Sequence, residues 1–442
     1  MTAPERLTIH GPEDILGFIP HSLGYWPESS LVAMTLHGTT LGATLRLDLP
    51  GPQAGADPCA YARAVRRYLE SDGEADGSLL AIFGGDSGTA VPPAYRPLLA
   101  QVRSVLDQAG MPVREAWYVG DQYWRDAFCT EPSCCPFPGR PVQQIRDSRL
   151  NTEMVYRGSS VGPAPRNSSV PAPAVSSLHL AAVRGEEAAW AEKLGSRTAD
   201  RVQFHAVLDC WEALLRMPET QPWLPEVERD AFLRATLLYT GWRDAVLIMA
   251  AAGRRAAEAG AEDFGTVTES SGAPGLRPRT TQGGTLGEAV AGPPVLRLPG
   301  PAADPPSGGR IRTGASGRAM RLHKEGSPGG EAVPGWGEIL MGVAPQLPDW
   351  SCLDKLDRVF EQLAALGGQP AAAALTGRGW ISWCRGRGSY AAAYLEQALE
   401  LDPQYRLAEL LLELVARGGI CGWAKRKEAA WQSIRDEPAP RG

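Results

Sequence analysis

The amino-acid sequence predicts an α/β (α+β) protein: an N-terminal mixed-sheet α/β sandwich, followed by an all-helical domain that a disordered insert interrupts. Three observations predict this fold class. Strand and helix signals alternate over residues 1–165, apolar residues recur at helical spacing over 175–260 and 336–435, and Gly and Pro dominate 265–335. A chain of 442 residues also exceeds what one hydrophobic core usually serves, which agrees with several domains.

The N-terminal segment is expected to begin with a helix and a β-hairpin. Pro12 followed by two acidic residues is typical of a helix start, and Pro20 is expected to end that helix. The stretches SLVAMTLHG and TLGATLRLDLP are rich in β-branched and apolar residues. They predict two strands joined by a turn that contains Gly38.

Two further helix–strand pairs are expected to complete the sheet. Asp57-Pro58 begins a stretch whose apolar residues share one helical face. The apolar run LLAIF is typical of a central strand that is buried on both faces. A helix is predicted over 95–109 and a strand over 113–119. The order ββαβαβ therefore predicts a mixed sheet covered by helices.

The second half of the chain is expected to be helical on both sides of the insert. AFLRATLLYTGWRDAVLIMAAAG is apolar almost all round and predicts two buried helices broken near Gly241. Residues 336–435 predict one helical hairpin that packs with 175–260. Its spacing is typical of a tetratricopeptide repeat at Gly379, Gly386, Ala391, Leu395, Ala398 and Pro403.

The insert differs from both of its neighbours in composition. Residues 265–334 contain 15 Gly and 10 Pro and no aromatic residue. Such a segment buries too little apolar surface to offset the entropy lost on ordering its backbone. The sequence therefore predicts a disordered insert over 265–335.

Composition also excludes some classes of function. The net charge of −6 provides no global positive field for a phosphate backbone, so no nucleic-acid partner is expected. No run of about 18 apolar residues occurs, so no membrane span is expected. No export signal opens the chain, and most of its eight cysteines are scattered through apolar segments, which indicates a cytoplasmic protein with reduced thiols.

The stretch FCTEPSCCPFPG is the main candidate for chemistry. Cys129, Cys134 and Cys135 are spaced C-x₄-C-C, whereas structural zinc sites usually combine two cysteine pairs. Adjacent cysteines rarely both reach one metal, so no residue is assigned as a metal ligand. Three interpretations stay open. They are zinc with a remote ligand such as His179 or His205, thiol redox chemistry, and, favoured, thiols buried in a loop held by prolines and Gly139 against Tyr123, Trp124 and Phe128.

Two other motifs are candidates for a functional patch. GGDSG resembles the nucleophile segment of trypsin-like proteases over five residues only, and a flexible turn is favoured. Because it follows a predicted buried strand, where α/β sheets place ligand loops, Asp86 and Ser87 stay candidates. Arg46 and Asp48 share one face of a strand, and they are expected to pair or to line a polar groove, with pairing favoured.

Several stretches of the chain match the pattern of a known family when they are taken together. They are ILGFIPHSLGYWPESSLVAM, RLDLP, YWRDAFCTEPSCCPFPG, WRDAV and ALELDPQYRLAELL. The chain thereby resembles an actinobacterial family of uncharacterised proteins, domain of unknown function 4192. It departs from the family pattern at His21-Ser22 and in its long insert. No activity is established for that family, so the resemblance implies no catalytic residue and no cofactor.

Three hypotheses of function follow. The first is a partner-binding or scaffold protein that uses its C-terminal helices, because no complete catalytic constellation is present. The second is a small-ligand or nucleotide-binding enzyme or sensor with a pocket near the sheet edge and the cysteine loop. The third is a zinc or thiol-redox protein. The sequence identifies neither a cofactor nor a reaction.

Overall fold

The structure is a computed structural model that describes residues 7–50, 57–85, 95–129, 131–165, 176–218, 224–267, 333–426 and 428–431. Most of the predicted disordered insert, 268–332, lies outside these residues. The chain forms two compact units, Met1–Ala174 with Arg378–Gly442, and Val175–Gly377. The predicted helical hairpin over 336–435 is divided after Gly377 between these units, and the expected domain limits stay predictions.

The first unit contains the sheet. Its strands are β1 Ser30–His37, β2 Thr40–Asp48, β3 Gly77–Phe83, β4 Val113–Val119, β5 Tyr123–Asp126 and β6 Arg140–Pro141. Its N-terminal helices are α1 Pro12–Leu23, α2 Pro58–Leu69, α3 Tyr95–Gln108, α4 Gln143–Arg146 and α5 Arg149–Tyr156. The strand order is β2-β1-β3-β4-β5-β6, with β3 and β4 parallel and the other neighbours antiparallel. The predicted mixed sheet is confirmed.

The remaining helices occupy the second unit and the C-terminal part of the first. The second unit contains α6 Ser177–Gly195, α7 Arg201–Leu215, α8 Val227–Leu237, α9 Thr240–Ala252, α10 Arg254–Asp263, α11 Trp336–Leu340 and α12 Trp350–Ala364. Helix α13 Gln369–Cys384 spans the division, and α14 Gly388–Leu401, α15 Arg406–Ala416 and α16 Gly422–Lys425 belong to the first unit. No helix among the described residues combines the length and apolar character needed to cross a bilayer.

Helices cover both faces of the sheet, and β3 shows why. Every residue of β3 is buried, as its apolar run predicted. Leu80 and Ile82 pack in the cluster formed with α2 and α3, whereas Leu79 and Ala81 pack in the cluster formed with α1. Because successive side chains of a strand point to opposite faces, one apolar run supplies both cores.

Local sequence signals account for several element boundaries. The Asp57 carboxylate accepts a hydrogen bond from the Cys59 N–H at 2.9 Å and caps α2 as expected. Gly38 turns the β1–β2 hairpin with φ of 61°. The expectation that Pro20 ends α1 is wrong, since the helix continues to Leu23. The Pro20 carbonyl accepts the Gly24 N–H at 2.8 Å, so the last turn closes although the proline ring provides no N–H.

The C-terminal helices of the first unit contact its α/β layers. The Tyr25 and Tyr390 rings pack edge to face with centroids 5.5 Å apart. A Cβ on Gly418 would collide with the hydroxyl of Tyr68, so a glycine permits this close approach. Helices α13 and α14 approach closely at Gly379, where a Cβ would lie 2.7 Å from the Leu395 side chain. The tetratricopeptide-like hairpin stays a prediction.

The described residues of the second unit form an assembly of helices around α8 and α9, whose apolar side chains are buried almost all round. The break between them at residues 238–239 lies close to the predicted position at Gly241. Arg234 is fully buried, and its guanidinium donates to the Glu187 carboxylate at 2.6 Å. It also donates to the backbone carbonyls of Leu363, in the last turn of α12, and of Gly367, just after that helix. A buried charge is tolerated here because each guanidinium nitrogen has a hydrogen-bond partner and the charge is paired with a carboxylate.

Candidate functional site

The cysteine loop, residues 127–139, connects β5 to β6. These two short strands were not predicted from the sequence. Tyr123 pairs with Pro141 and Trp124 with Arg140, so the ladder closes the base of the loop. Gly139 completes the closure with φ of 134°, and a Cβ there would lie 2.6 Å from the Trp124 carbonyl oxygen. Only glycine fits this position without strain.

Backbone hydrogen bonds shape the loop above this base. The Asp126 carboxylate accepts the Phe128 N–H at 2.8 Å and the Cys129 N–H at 2.6 Å. The Glu131 carbonyl accepts the Cys134 N–H at 3.2 Å and the Cys135 N–H at 2.8 Å. These bonds fold the chain back on itself, so that Cys129 faces the Cys134-Cys135 pair.

The three thiols converge in space. The sulphur atoms of Cys129, Cys134 and Cys135 all lie within 4.8 Å of one another, and those of Cys134 and Cys135 are 4.0 Å apart. The expectation that adjacent cysteine side chains diverge is wrong here, because the turn at 131–135 removes the alternation of an extended backbone.

The thiols are also less buried than the favoured interpretation required. Cys134 is exposed, and Cys129 and Cys135 are half-buried. Trp124 is buried, but Tyr123 remains 39% exposed and does not shield the loop. The sulphur cluster therefore lies at the surface of a rigid support, where an ion or a small molecule has access.

Hydrogen bonding and burial shift the pKa values of two of these thiols in opposite directions. The Glu131 N–H, followed by the Cys135 thiol, donates to the Cys129 sulphur and lowers the pKa of Cys129. Burial, followed by the hydrogen bonds with Cys129 and Cys134, raises the pKa of Cys135 to about 11. The Cys129 sulphur is thus the best placed of these two to carry negative charge, and Cys135 holds its proton.

The structure separates the remaining predicted candidates from this cluster. Arg46 and Asp48 pair at 2.6 Å on β2, and the Arg46 guanidinium also donates to Ser30 at 2.7 Å. Strand β2 is one edge of the sheet and β6 is the other, so this pair and the cysteine loop lie at opposite edges. Asp86 and Ser87 fall outside the described residues.

Gly84, the first of the two glycines that precede Asp86, has a structural explanation. A Cβ on Gly84 would lie 2.5 Å from the Tyr118 hydroxyl, which itself donates to the Gly85 carbonyl at 3.1 Å. A side chain at Gly84 would therefore displace the tyrosine that covers the end of β3. This contact accounts for the first glycine of GGDSG without a ligand.

A polar cleft of about 580 Å³ at α1, α4 and the start of α5 was not predicted from the sequence. Its lining mixes acidic groups such as Glu13 and Asp147 with basic groups such as Arg140 and Arg149. Buried Asp14 accepts the His10 N–H at 2.9 Å and the Leu150 N–H at 3.1 Å. Both of its carboxylate oxygens therefore join backbone segments, which indicates a structural role.

One of three comparisons with known proteins identifies a family. The family described as Domain of unknown function (DUF4192) matches residues 12–263 and 359–419, which is most of the chain. No curated protein and no solved structure matches the chain. The matched residues include the sheet, the cysteine loop and the C-terminal helical hairpin. The chain belongs to this family of domains of unknown function.

Proposed function

We propose that the cysteine loop binds a thiophilic divalent metal ion, zinc(II), through Cys129, Cys134 and Cys135. The convergence of the three sulphur atoms within 4.8 Å carries this proposal. In a tetrahedral site with Zn–S bonds of about 2.3 Å, neighbouring sulphurs lie about 3.8 Å apart. The Cys134–Cys135 separation of 4.0 Å is already close to that value. The other sulphur separations are at most 4.8 Å, so they must shorten by up to about 1 Å to complete a three-thiolate face.

The loop also provides the support that a metal-bound thiolate requires. The Glu131 N–H donates to the Cys129 sulphur, and Asp126 fixes the backbone on either side of Phe128. Such outer hydrogen bonds orient ligands and stabilise their negative charge. Thiolate ligands select soft or borderline cations, which favours zinc over magnesium or calcium.

The three thiolates leave one position of a tetrahedron to a ligand from outside the cluster. Among the described residues, no histidine, aspartate or glutamate ligand atom joins the three sulphurs. Cys134 is exposed, so the open side of the site faces solvent. Zinc with three protein ligands and one exchangeable ligand is typical of sites that bind or activate small molecules.

Metal analysis of the full chain tests the proposal. Protein purified without chelators is expected to contain one zinc per chain, and Cys134→Ser is expected to lose it. Cys352→Ser is the matched control, because Cys352 is half-buried in α12 and outside the loop. Cobalt substitution provides a second readout, since thiolate-to-cobalt charge-transfer absorption requires cysteine ligands. The proposal would be overturned if the purified protein were free of zinc, had all eight cysteines free, and removed no zinc from its complex with a chromogenic chelator.

One observation favours thiol redox chemistry as a second candidate for the same cluster. Hydrogen bonds lower the pKa of Cys129, whereas burial raises the pKa of neighbouring Cys135. A thiolate beside a protonated thiol is typical of thiol–disulfide exchange. Thiol titration with and without a chelator separates the candidates. Protection that a chelator removes supports zinc, and protection that only a reductant removes supports a disulfide.

The two other hypotheses from the sequence stay predictions. Partner binding through the C-terminal helices must use surfaces that are free of intramolecular contacts, and Tyr390, Ser389 and Gly418 already contact the α/β layers of the first unit. A ligand or nucleotide pocket beside Asp86 and Ser87 depends on residues outside the described part of the chain.

A further inference from the structure

A second pair of cysteines meets in the interior of the first unit. Cys384 is the last residue of α13, and Cys421 is the residue that precedes α16. Both are fully buried, and residues 385–420, which include α14 and α15, separate them along the chain. Their meeting is therefore a product of tertiary packing and has no local sequence motif.

The two thiols are hydrogen-bond partners. The Cys384 thiol donates a hydrogen bond to the Cys421 sulphur, which also accepts the N–H groups of Trp423 and Ala424. Burial, followed by the contact with Cys421, raises the pKa of Cys384 well above its usual value. The hydrogen bond from Cys384 lowers the pKa of Cys421. The two thiols thus share one hydrogen bond in the core of the unit.

Packing on both sides fixes the backbones that carry these sulphurs. The Trp380 and Trp423 rings pack edge to face with centroids 6.3 Å apart. The Trp383 indole N–H donates to the Gly419 carbonyl at 2.7 Å. The last turn of α13 and the segment before α16 are therefore held together independently of the cysteines, which keeps the two thiols in register.

We propose that Cys384 and Cys421 form a reversible disulfide that fastens the C-terminal segment to α13, with a low-molecular-weight disulfide as the oxidant. The Cys421 thiolate attacks one sulphur of the oxidant and releases the first small thiolate. The Cys384 thiol then loses its proton and attacks the Cys421 sulphur, which releases the second. The two cysteines lose two protons and two electrons, and the oxidant becomes two small thiols.

Burial controls the rate of this exchange. Both sulphurs are inaccessible in the folded unit, so the small disulfide reaches Cys421 only when the segment around α16 opens locally. Once formed, the bond closes the loop of residues 385–420 and restricts the unfolded chain. The disulfide is therefore slow to form, resistant to reduction in the folded protein, and stabilising.

Peptide mapping of the intact chain tests the proposal directly. Reduced protein is incubated with oxidised glutathione, quenched in acid, alkylated and digested with trypsin without reduction. Cleavage after Arg378, Arg385, Arg417 and Lys425 releases peptides 379–385 and 418–425, one cysteine on each. The cysteine loop stays on the separate peptide 126–146, since Arg140 precedes a proline. The expected product is a linked 379–385/418–425 species.

Thermal unfolding provides the second readout. Oxidation is expected to raise the unfolding midpoint of the wild type by about 2 °C or more, and Cys384→Ala is expected to abolish this rise. Cys352→Ala, which leaves the pair intact, is expected to keep it. Recovery of the two peptides only as separately alkylated species in excess oxidised glutathione overturns the proposal. If oxidation raises the midpoint of Cys384→Ala by the same amount, the stabilising role is overturned. The peptide map uses the wild-type chain, so it tests disulfide formation even if that variant does not fold.

Discussion

The first unit contains two groups of cysteine sulphurs that are built in opposite ways. In the loop, three cysteines within seven residues converge through a short turn, and one of them is exposed. In the interior, Cys384 and Cys421 converge through helix packing, and both are fully buried. Ions from solvent can reach the loop group, whereas each sulphur of the buried pair is in reach of the other sulphur and not of solvent.

The number of sulphurs reinforces this difference. Three thiolates supply most of a tetrahedral zinc site, whereas two sulphurs without further ligands do not. Among the described residues, the loop cluster is the group of three or more metal-ligating side chains that meet within ligand distance. The comparison therefore teaches that cysteine contacts of different origin suit different chemistry, metal binding in the loop and disulfide formation in the interior.

The largest expected effect is the pH dependence of zinc binding by the loop. Zinc must displace the proton of Cys135, whose pKa is raised to about 11, so affinity increases with pH throughout the range below that value. One displaced proton gives about tenfold per pH unit, and we expect at least about 100-fold tighter binding at pH 8 than at pH 6. Competition with a chromogenic chelator whose own pH dependence is known measures it. A pH-independent affinity would contradict thiolate ligation.

The second expected effect separates the two groups by stability in metal-free, reduced protein. Cys384→Ser introduces a buried hydroxyl in place of a thiol and is expected to destabilise the chain by about 1–3 kcal/mol. Cys134→Ser changes an exposed side chain and is expected to stay within about 0.5 kcal/mol of the wild type. Urea unfolding with chelator and reductant, followed by tryptophan fluorescence, measures both. Equal destabilisation by the two variants would remove the distinction between a surface site and a core pair.

The smallest expected effect concerns the support that the sheet gives to the loop. Gly139→Ala places a methyl group against the Trp124 carbonyl and an L residue at positive φ, so we expect zinc affinity to fall about tenfold, or about 1.4 kcal/mol. Gly73→Ala is the matched control, because nothing lies within 4 Å of its Cβ position. Unchanged affinity in Gly139→Ala would show that the loop forms the site without its anchor on β5 and β6.

Much of the sheet was predictable because its signals are local. The apolar run of β3 predicted a strand buried on both faces, Asp57-Pro58 predicted the start of α2, and Gly38 predicted the hairpin turn. Strands β5 and β6 were missed because they are four and two residues long and carry no alternating pattern of their own. Strand β5 pairs along the edge of β4, and β6 in turn pairs along β5.

The candidate site was predictable in position and not in geometry. Clustered cysteines directed attention to Cys129, Cys134 and Cys135, but only the turn at Glu131 shows that their sulphurs meet. Arg46 and Asp48 were grouped with the loop as candidates, and the strand order places them at the other edge of the sheet. The order of strands in the sheet depends on long-range pairing, so the sequence did not reveal which candidate residues lie close together.

By itself, the sequence determined the fold class and the loop in which cysteines are clustered, since hydrophobic periodicity, caps and residue clusters act over a few neighbouring residues. The family followed from the resemblance of several longer stretches to a known pattern. Only the tertiary structure decided that three loop sulphurs converge at the surface and that Cys384 meets Cys421 in the interior. Contacts between distant residues depend on which buried faces pack together, and side-chain packing over the whole unit sets that choice.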